Sequence, residues 1–312
     1  MNDLDELIRE SRELSWQRFG RKITFYHPGM FRYNGEWGKY PALSITGDYC
    51  ELQCDHCKSK ILESMIFAKT PKELVNKCVE LEKMGYLGCL ISGGSNHEGK
   101  LPWSDFISSI QTVKENTNLF LSIHCGIIDY KTAKNLKDAG VDQALIDVIG
   151  DDETFKRIYH VNYGIEKIDE SLLALKNADI PLVPHVVVGL DYGKIKGEYR
   201  AIELIERYNP EVLVIVSLMS IPGTPMANIA SPSPWDTARI IATARVKMPN
   251  IPISLGCARD RADFLIDTLA VDCGVNRIAI PSGEAIKRAE KYDLDIKWIK
   301  TCCSIPINIC RE

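Results

Sequence analysis

The chain has 312 residues, 45% of them hydrophobic, and a formal charge of −4 from 38 basic and 42 acidic side chains. That is ample material for a large core, and the dispersed, nearly balanced charge excludes the basic footprint of a nucleic-acid binder. The charged first residues do not read as a secretion signal, and the most apolar runs, 181–190 and 212–219, are β-branched and too short for a membrane span, so a cytoplasmic setting is expected.

Residues 1–40 read as an amphipathic helix followed by an aromatic-rich segment (Phe25, Tyr26, Phe31, Tyr33, Trp37) that plugs or caps one end of the fold. From Pro41 onward, short β-branched runs alternate with amphipathic segments, the pattern of βα units around a parallel sheet. The expected strands are 43–46, 88–92, 120–124, 143–148, 182–189, 212–218, 252–256 and 277–280. Eight such strands close a barrel. Between them Thr70-Pro71-Lys72-Glu73 is a capping box with proline at the first helical position, and Gly85 and Gly140 stop helices. Later helices are expected over 195–208, 237–246, 263–272 and 284–292. The fold class is therefore α/β: a (β/α)8 TIM-type barrel over 41–295, an N-terminal helical extension over 1–40, and a cysteine-containing C-terminal tail over 296–312. Function in this architecture collects at the carboxyl ends of the strands.

The loop after the first strand carries Cys50-Glu-Leu-Gln-Cys54-Asp-His-Cys57. Three thiols so spaced can wrap three corners of a cubane iron-sulfur cluster and leave one iron open for chemistry. A structural zinc site is the alternative, but it prefers four ligands, and His56 is an awkward fourth because it adjoins Cys57. Eleven cysteines in a reducing compartment favour metal or catalytic use of the grouped ones over disulfides. Cys78 and Cys89 lie on apolar faces and read as packing residues. Ser92-Gly93-Gly94-Ser95 closes the second strand, where paired glycines either mark a turn or let backbone approach a ligand. His124 and Cys125 end the third strand, Asp147 lies in the fourth and His185 in the fifth, and each reads either as a functional group or as a rim residue satisfied by neighbours. Cys257 follows strand seven, while Cys302, Cys303 and Cys310 lie in the tail. Folded over the barrel mouth, that tail brings Cys302 and Cys303 to Cys257, for a second cluster, for a structural zinc, or as exposed thiols.

The cysteine run resembles the cluster loop of the radical S-adenosylmethionine (SAM) enzymes. That resemblance implies a [4Fe-4S] cluster on Cys50, Cys54 and Cys57 whose free iron holds SAM. A low-potential electron donor would reduce the cluster, which splits SAM to a 5′-deoxyadenosyl radical that abstracts hydrogen from an unactivated carbon. It further implies that Gly93, Gly94 and Ser95 bind the SAM amino group, although Ser95 replaces the family's acid. Asp147 would bind the ribose, His56 would stand beside the adenine, and Val188 and Gly189 would pack against it. Ser44-Ile-Thr-Gly47, Pro222-Gly-Thr-Pro-Met226, Ser254-Leu-Gly-Cys257-Ala-Arg259, Ile280-Pro-Ser282 and the Cys302-Cys303 pair resemble the biotin-synthase-like branch, and among its members the archaeal-type two-subunit lipoyl synthases. Biotin synthase carries a second cluster on cysteines of strands two, three and five, whereas here only the third strand offers one, Cys125. The lipoyl-synthase resemblance implies sulfur insertion into an octanoyl chain on a lysine of a lipoyl carrier protein. It also implies an auxiliary iron-sulfur cluster on Cys257, Cys302 and Cys303, and a sister radical SAM subunit as partner. Two rivals remain: a single-cluster radical SAM mutase or lyase using His124, His185 and Arg259 on an amino-acid-like substrate, and a non-catalytic zinc-binding barrel that serves in assembly.

Overall fold

The structure, a computed structural model, describes residues 3–33 and 35–307. After the helix Asp3–Phe19 come β1 (Lys22–Tyr26), the short pair β2 (Arg32–Tyr33) and β3 (Glu36–Trp37), then β4 (Ala42–Ser44), β5 (Ile66–Phe67) and β6 (Gly88–Ser92). The chain continues through β7 (Phe120–His124), β8 (Gln143–Asp147), β9 (Leu182–Val188), β10 (Leu213–Ser217), β11 (Ile253–Leu255), β12 (Arg277–Ala279) and β13 (Asp295–Ile299), with helices between. All eight expected strands are present within two residues of their expected ends. The capping box forms as read: Glu73 N donates to Thr70 Oγ1 and Thr70 N to Glu73 Oε2, both at 3.2 Å.

The strands make one parallel eleven-stranded sheet in the order β13-β1-β12-β11-β10-β9-β8-β7-β6-β4-β5, curled into a TIM-type α/β fold. Its edges, β13 and β5, do not pair with each other. The gap is laced near the start of β4 instead: Lys39 N donates to Lys300 O at 2.7 Å and Leu87 N to Lys39 O at 3.0 Å.

Two expectations need correction. The aromatic segment does not simply cap an end, because Lys-Ile-Thr-Phe-Tyr forms β1 inside the sheet, with Phe25 and Tyr26 fully buried. Its β-branched and aromatic content is that of a strand, and Gly20, at φ +79°, ends the preceding helix in time for it. That helix packs outside the sheet against Pro234–Lys247. The divisions expected at 41 and 295 therefore run through one sheet, with β1 before the first and β13 across the second.

The tail, moreover, does not fold over the mouth; it enters the barrel. Side chains alternate across each strand, sending Tyr26, Leu145, Val183, Val214 and Ala279 inward, and Cys303 packs among them. Buried side-chain donors hold the intruding backbone. Arg277 Nη1 donates to Cys303 O (2.9 Å) and Ile305 O (3.1 Å), and Gln143 Nε2 donates to Ser304 O (3.1 Å). Cys310 lies outside the described residues.

Ile305 is fully buried and Ile307 is 37% exposed, so the tail's contribution is separable. Ile305→Ala should cost about 2–5 kcal/mol in chemical denaturation and Ile307→Ala within roughly 0.5. Equal, small effects would mean that the tail does not fill the interior.

Candidate functional site

The thiol loop follows β4 and is seated on the end of β6. Thr46 Oγ1 accepts from Gly94 N at 2.6 Å and donates to Tyr49 O at 2.9 Å, while Glu51 N donates to Ser95 O at 2.8 Å. The second glycine of the pair is required sterically, for a Cβ on Gly94 would lie 2.0 Å from Tyr49 O and 2.5 Å from Cys50 Cβ. Gln53, Lys58 and Ser59 all take positive φ (47°, 45° and 59°), so the loop coils tightly at a backbone cost that its anchors must cover. Asp55, buried, is the inner anchor. It pairs with His160 Nε2 at 2.9 Å and accepts from Tyr192 O–H at 2.7 Å, tying the loop to the helix Asp152–Tyr159 and to the loop after β9. Nothing in the sequence spacing points to His160 and Tyr192, which lie more than a hundred residues from Asp55.

Cys50, Cys54 and Cys57 line one open cavity of about 220 Å³, together with His56, Gly93, Gly94 and Ser95. Cys54 and Cys57 are buried; Cys50 is half-buried, with its Sγ 3.7 Å from Ser95 O. The donor atoms of Cys54, His56 and Cys57 lie within 4.8 Å of one another, a set that does not include Cys50. A hydrogen bond from the Cys54 thiol, aided by the His56 ring, lowers the Cys57 thiol against its burial. A low-pKa thiolate is the form that binds metal. His56 sits beside Tyr159, ring centroids 5.4 Å apart, and its buried Nδ1 has no hydrogen-bond partner. Three thiols converging on one cavity, with an unpartnered imidazole nitrogen at its wall, fit an iron-sulfur cluster with a nucleotide beside it.

Deeper in the barrel, His124 on β7 stands opposite Leu145, one same-face step before Asp147 on β8, and Asp147 is directly opposite His185 on β9. His124 Nε2 is 3.5 Å from Asp147 Oδ1, and the two histidine rings are 5.8 Å apart. Burial favours the neutral form of each. Against it, the His124 charge holds the Asp147 carboxyl down at about 2 and Asp147 raises His124, whereas burial leaves His185 neutral, drawn down to about 4. Asp147, expected on the SAM ribose, thus reaches the cavity wall already paired.

Strand alternation turns Val188 and Cys125 away from the interior. Val188 is buried in the outer core, and Gly189 beside it is also buried; Val183, His185 and Val187 are the members of β9 that face the interior. Cys125 likewise points outward, with burial pushing its thiol up to about 12, because its neighbour His124 takes the inward position. Arg259 is fully buried and fully committed, bidentate to Asp267 (2.6 and 2.9 Å) and donating to the carbonyls of Gly256, Ala279 and Ile280, so it cannot serve a substrate pocket. Cys78 and Cys89 are core residues as expected, their sulfurs 3.9 Å apart.

The second group of thiols lies inside the barrel and not over its mouth. Cys303, Cys302 and Cys257 border one interior cluster. A hydrogen bond from Cys303 lowers the Cys302 thiol to about 6 against its burial, while burial pushes Cys257 up to about 11, with the Cys302 charge adding to it. Among the described residues these three are not a set of donor atoms within 4.8 Å, as the two groups above are.

Comparison with known proteins follows the same lines. Residues 44–196 match the model of the Radical SAM superfamily, and residues 214–302 that of the Biotin and Thiamin Synthesis associated domain. The biotin synthase of Clostridioides difficile (strain 630) is 26% identical over 253 residues, covering 81% of this chain and 74% of that protein. The biotin synthase of Neorickettsia sennetsu is 25% identical over 242 residues, 76% of this chain and 74% of its own. Among solved structures, methylornithine synthase superposes with a TM-score of 0.66 at 16% identity, covering 94% of this chain and 89% of its own. The [FeFe]-hydrogenase maturase HydG gives 0.65 at 14%, covering 95% and 69%. Both structures share the fold.

The seating of the loop makes a differential prediction. Gly94→Ala forces Cys50 aside and should lower the iron bound after anaerobic reconstitution several-fold, with the helical spectrum unchanged. Gly93→Ala, whose Cβ would meet Thr46 no closer than 3.1 Å, should keep most of it. Equal iron in both would show that the close approach is unimportant.

Proposed function

We propose that this chain, which belongs to the radical SAM superfamily and to its biotin-synthase-like branch, inserts sulfur into an octanoyl chain carried on a lysine of a lipoyl carrier protein. When bound, a [4Fe-4S] cluster with SAM supplies one-electron cleavage of the sulfonium and hydrogen abstraction from an unactivated carbon. Cys50, Cys54 and Cys57 hold that cluster. Gly93, Gly94 and Ser95 offer carbonyls and one hydroxyl to the SAM amino group, and His56 flanks the adenine. Leu52, Leu90, Leu101, Ile127 and Ile146 line the cavity, and this apolar wall excludes water and suits an alkyl chain.

The observation that carries the sulfur-insertion reading is the threading of the tail, which sets Cys302 and Cys303 beside Cys257 inside the barrel. A sulfur-bearing auxiliary cluster on those thiols would stand on the inner side of the cavity, where an alkyl chain ends. Biotin synthesis itself is disfavoured, because Cys125 faces away from the interior that holds biotin synthase's second cluster. A carrier protein, a low-potential donor and a sister radical SAM subunit are the partners this reading requires. The polar group His124-Asp147-His185 favours a mutase or lyase as the second reading, since such chemistry uses a single cluster and a polar pocket.

Iron and sulfide counts and a product assay separate the two. The reconstituted chain, with its sister subunit where needed, should hold iron and sulfide for more than one cubane. Replacing Cys257, Cys302 and Cys303 together by alanine should remove the excess. With SAM, reductant and an octanoylated carrier, the wild type should add sulfur to the carrier while forming 5′-deoxyadenosine. Iron for a single cubane, with no sulfur transferred, would overturn sulfur insertion in favour of the second reading.

A further inference from the structure

We propose that His124, Asp147 and His185 form a mononuclear site for a divalent first-row transition metal, zinc or ferrous iron, whose open positions take an oxygen donor of the substrate. The three donor atoms lie within 4.8 Å of one another on neighbouring strands of one sheet. These are rigid supports, as a metal site needs. Two histidines and one carboxylate are a donor set that suits zinc and ferrous iron and leaves coordination positions open.

The His124–Asp147 pair is long enough for both groups to bind one ion instead of each other. His124 Nε2 and Asp147 Oδ1 stand 3.5 Å apart, beyond the roughly 2.7–2.9 Å of a charge-assisted hydrogen bond. That is close to the roughly 3.4 Å that separates two ligands of a tetrahedral zinc with bonds of about 2.1 Å. His185 is already oriented. Its Nδ1 lies 3.2 Å from Val183 O, so it carries the proton and donates it there, which leaves the Nε2 lone pair free; metal-bound histidines are commonly fixed by such an outer bond.

The nearby arginines are spoken for. Arg277 donates to the tail carbonyls of Cys303 and Ile305, and Arg259 is locked to Asp267. His124 and Asp147 line the cavity that the thiol loop also borders, so an ion held here faces the space where a substrate carbonyl or carboxylate would lie. The site shares no residue with the thiol loop, and it stands whether or not sulfur insertion does.

The test uses the full chain, reconstituted anaerobically with its iron-sulfur content, then equilibrated with one equivalent of zinc and desalted. The wild type should retain about one zinc, and His185→Gln and Asp147→Asn should each lower it at least tenfold with iron unchanged. Zinc retained equally by the variants would overturn the site. Should either variant lose iron as well, X-ray absorption at the zinc edge of the wild type decides. Nitrogen and oxygen neighbours at about 2.0–2.2 Å are expected, and a shell of two or more sulfurs at about 2.3 Å would assign the zinc to thiols and overturn the proposal.

Discussion

The close approach of Gly94 to Cys50 decides how the thiol loop meets the barrel. With no Cβ in the way, the end of β6 and the loop after β4 share hydrogen bonds through Thr46, and Ser95 O receives the Glu51 amide. The loop is thereby presented at the carboxyl rim with its sulfurs toward the cavity. Its three left-handed residues are tolerated because the Asp55 anchor holds the far side. Loosening either contact would leave three cysteines in a flexible segment, and three thiols without a fixed spacing do not select a cubane over other metals.

Strand alternation then sorts the remaining residues. One step along β7 separates His124, which faces the interior, from Cys125, which does not, and β9 separates Val187 from Val188 in the same way. The interior is therefore divided in depth and not filled evenly. A mixed apolar and thiol rim lies above, the His124-Asp147-His185 group in the middle, and the intruding tail packs against Arg277 and Gln143 at the amino ends of their strands. Burying an arginine and a glutamine costs little here, because each donates to backbone carbonyls that would otherwise be orphaned inside the barrel.

Much of this was legible from residues alone. The strands were found because parallel strands covered on both faces read as β-branched runs, and the cluster loop because its three thiols are adjacent in sequence. What the residues do not show locally depends on distance along the chain or on which way a side chain points. β1 was hidden because a single run of five residues next to a helix does not announce that it joins a sheet whose other strands begin later. The path of the tail was hidden because Arg277 and Gln143 hold it from positions far away in sequence. A place at a strand end, such as that of Cys125, fixes height on the barrel and not facing, and neither the family resemblance of Val188 nor the position of Arg259 reveals which way the side chain points. The His160 and Tyr192 anchors leave no local mark at all.

The central claim is that Cys50, Cys54 and Cys57 hold a cluster with one iron free for SAM. Electron paramagnetic resonance of the anaerobically reconstituted, reduced protein tests it most directly. Adding SAM should change the g-values of a [4Fe-4S] signal, and the signal should vanish in Cys54→Ala. A reduced protein without that signal, or one whose spectrum is indifferent to SAM, would contradict it.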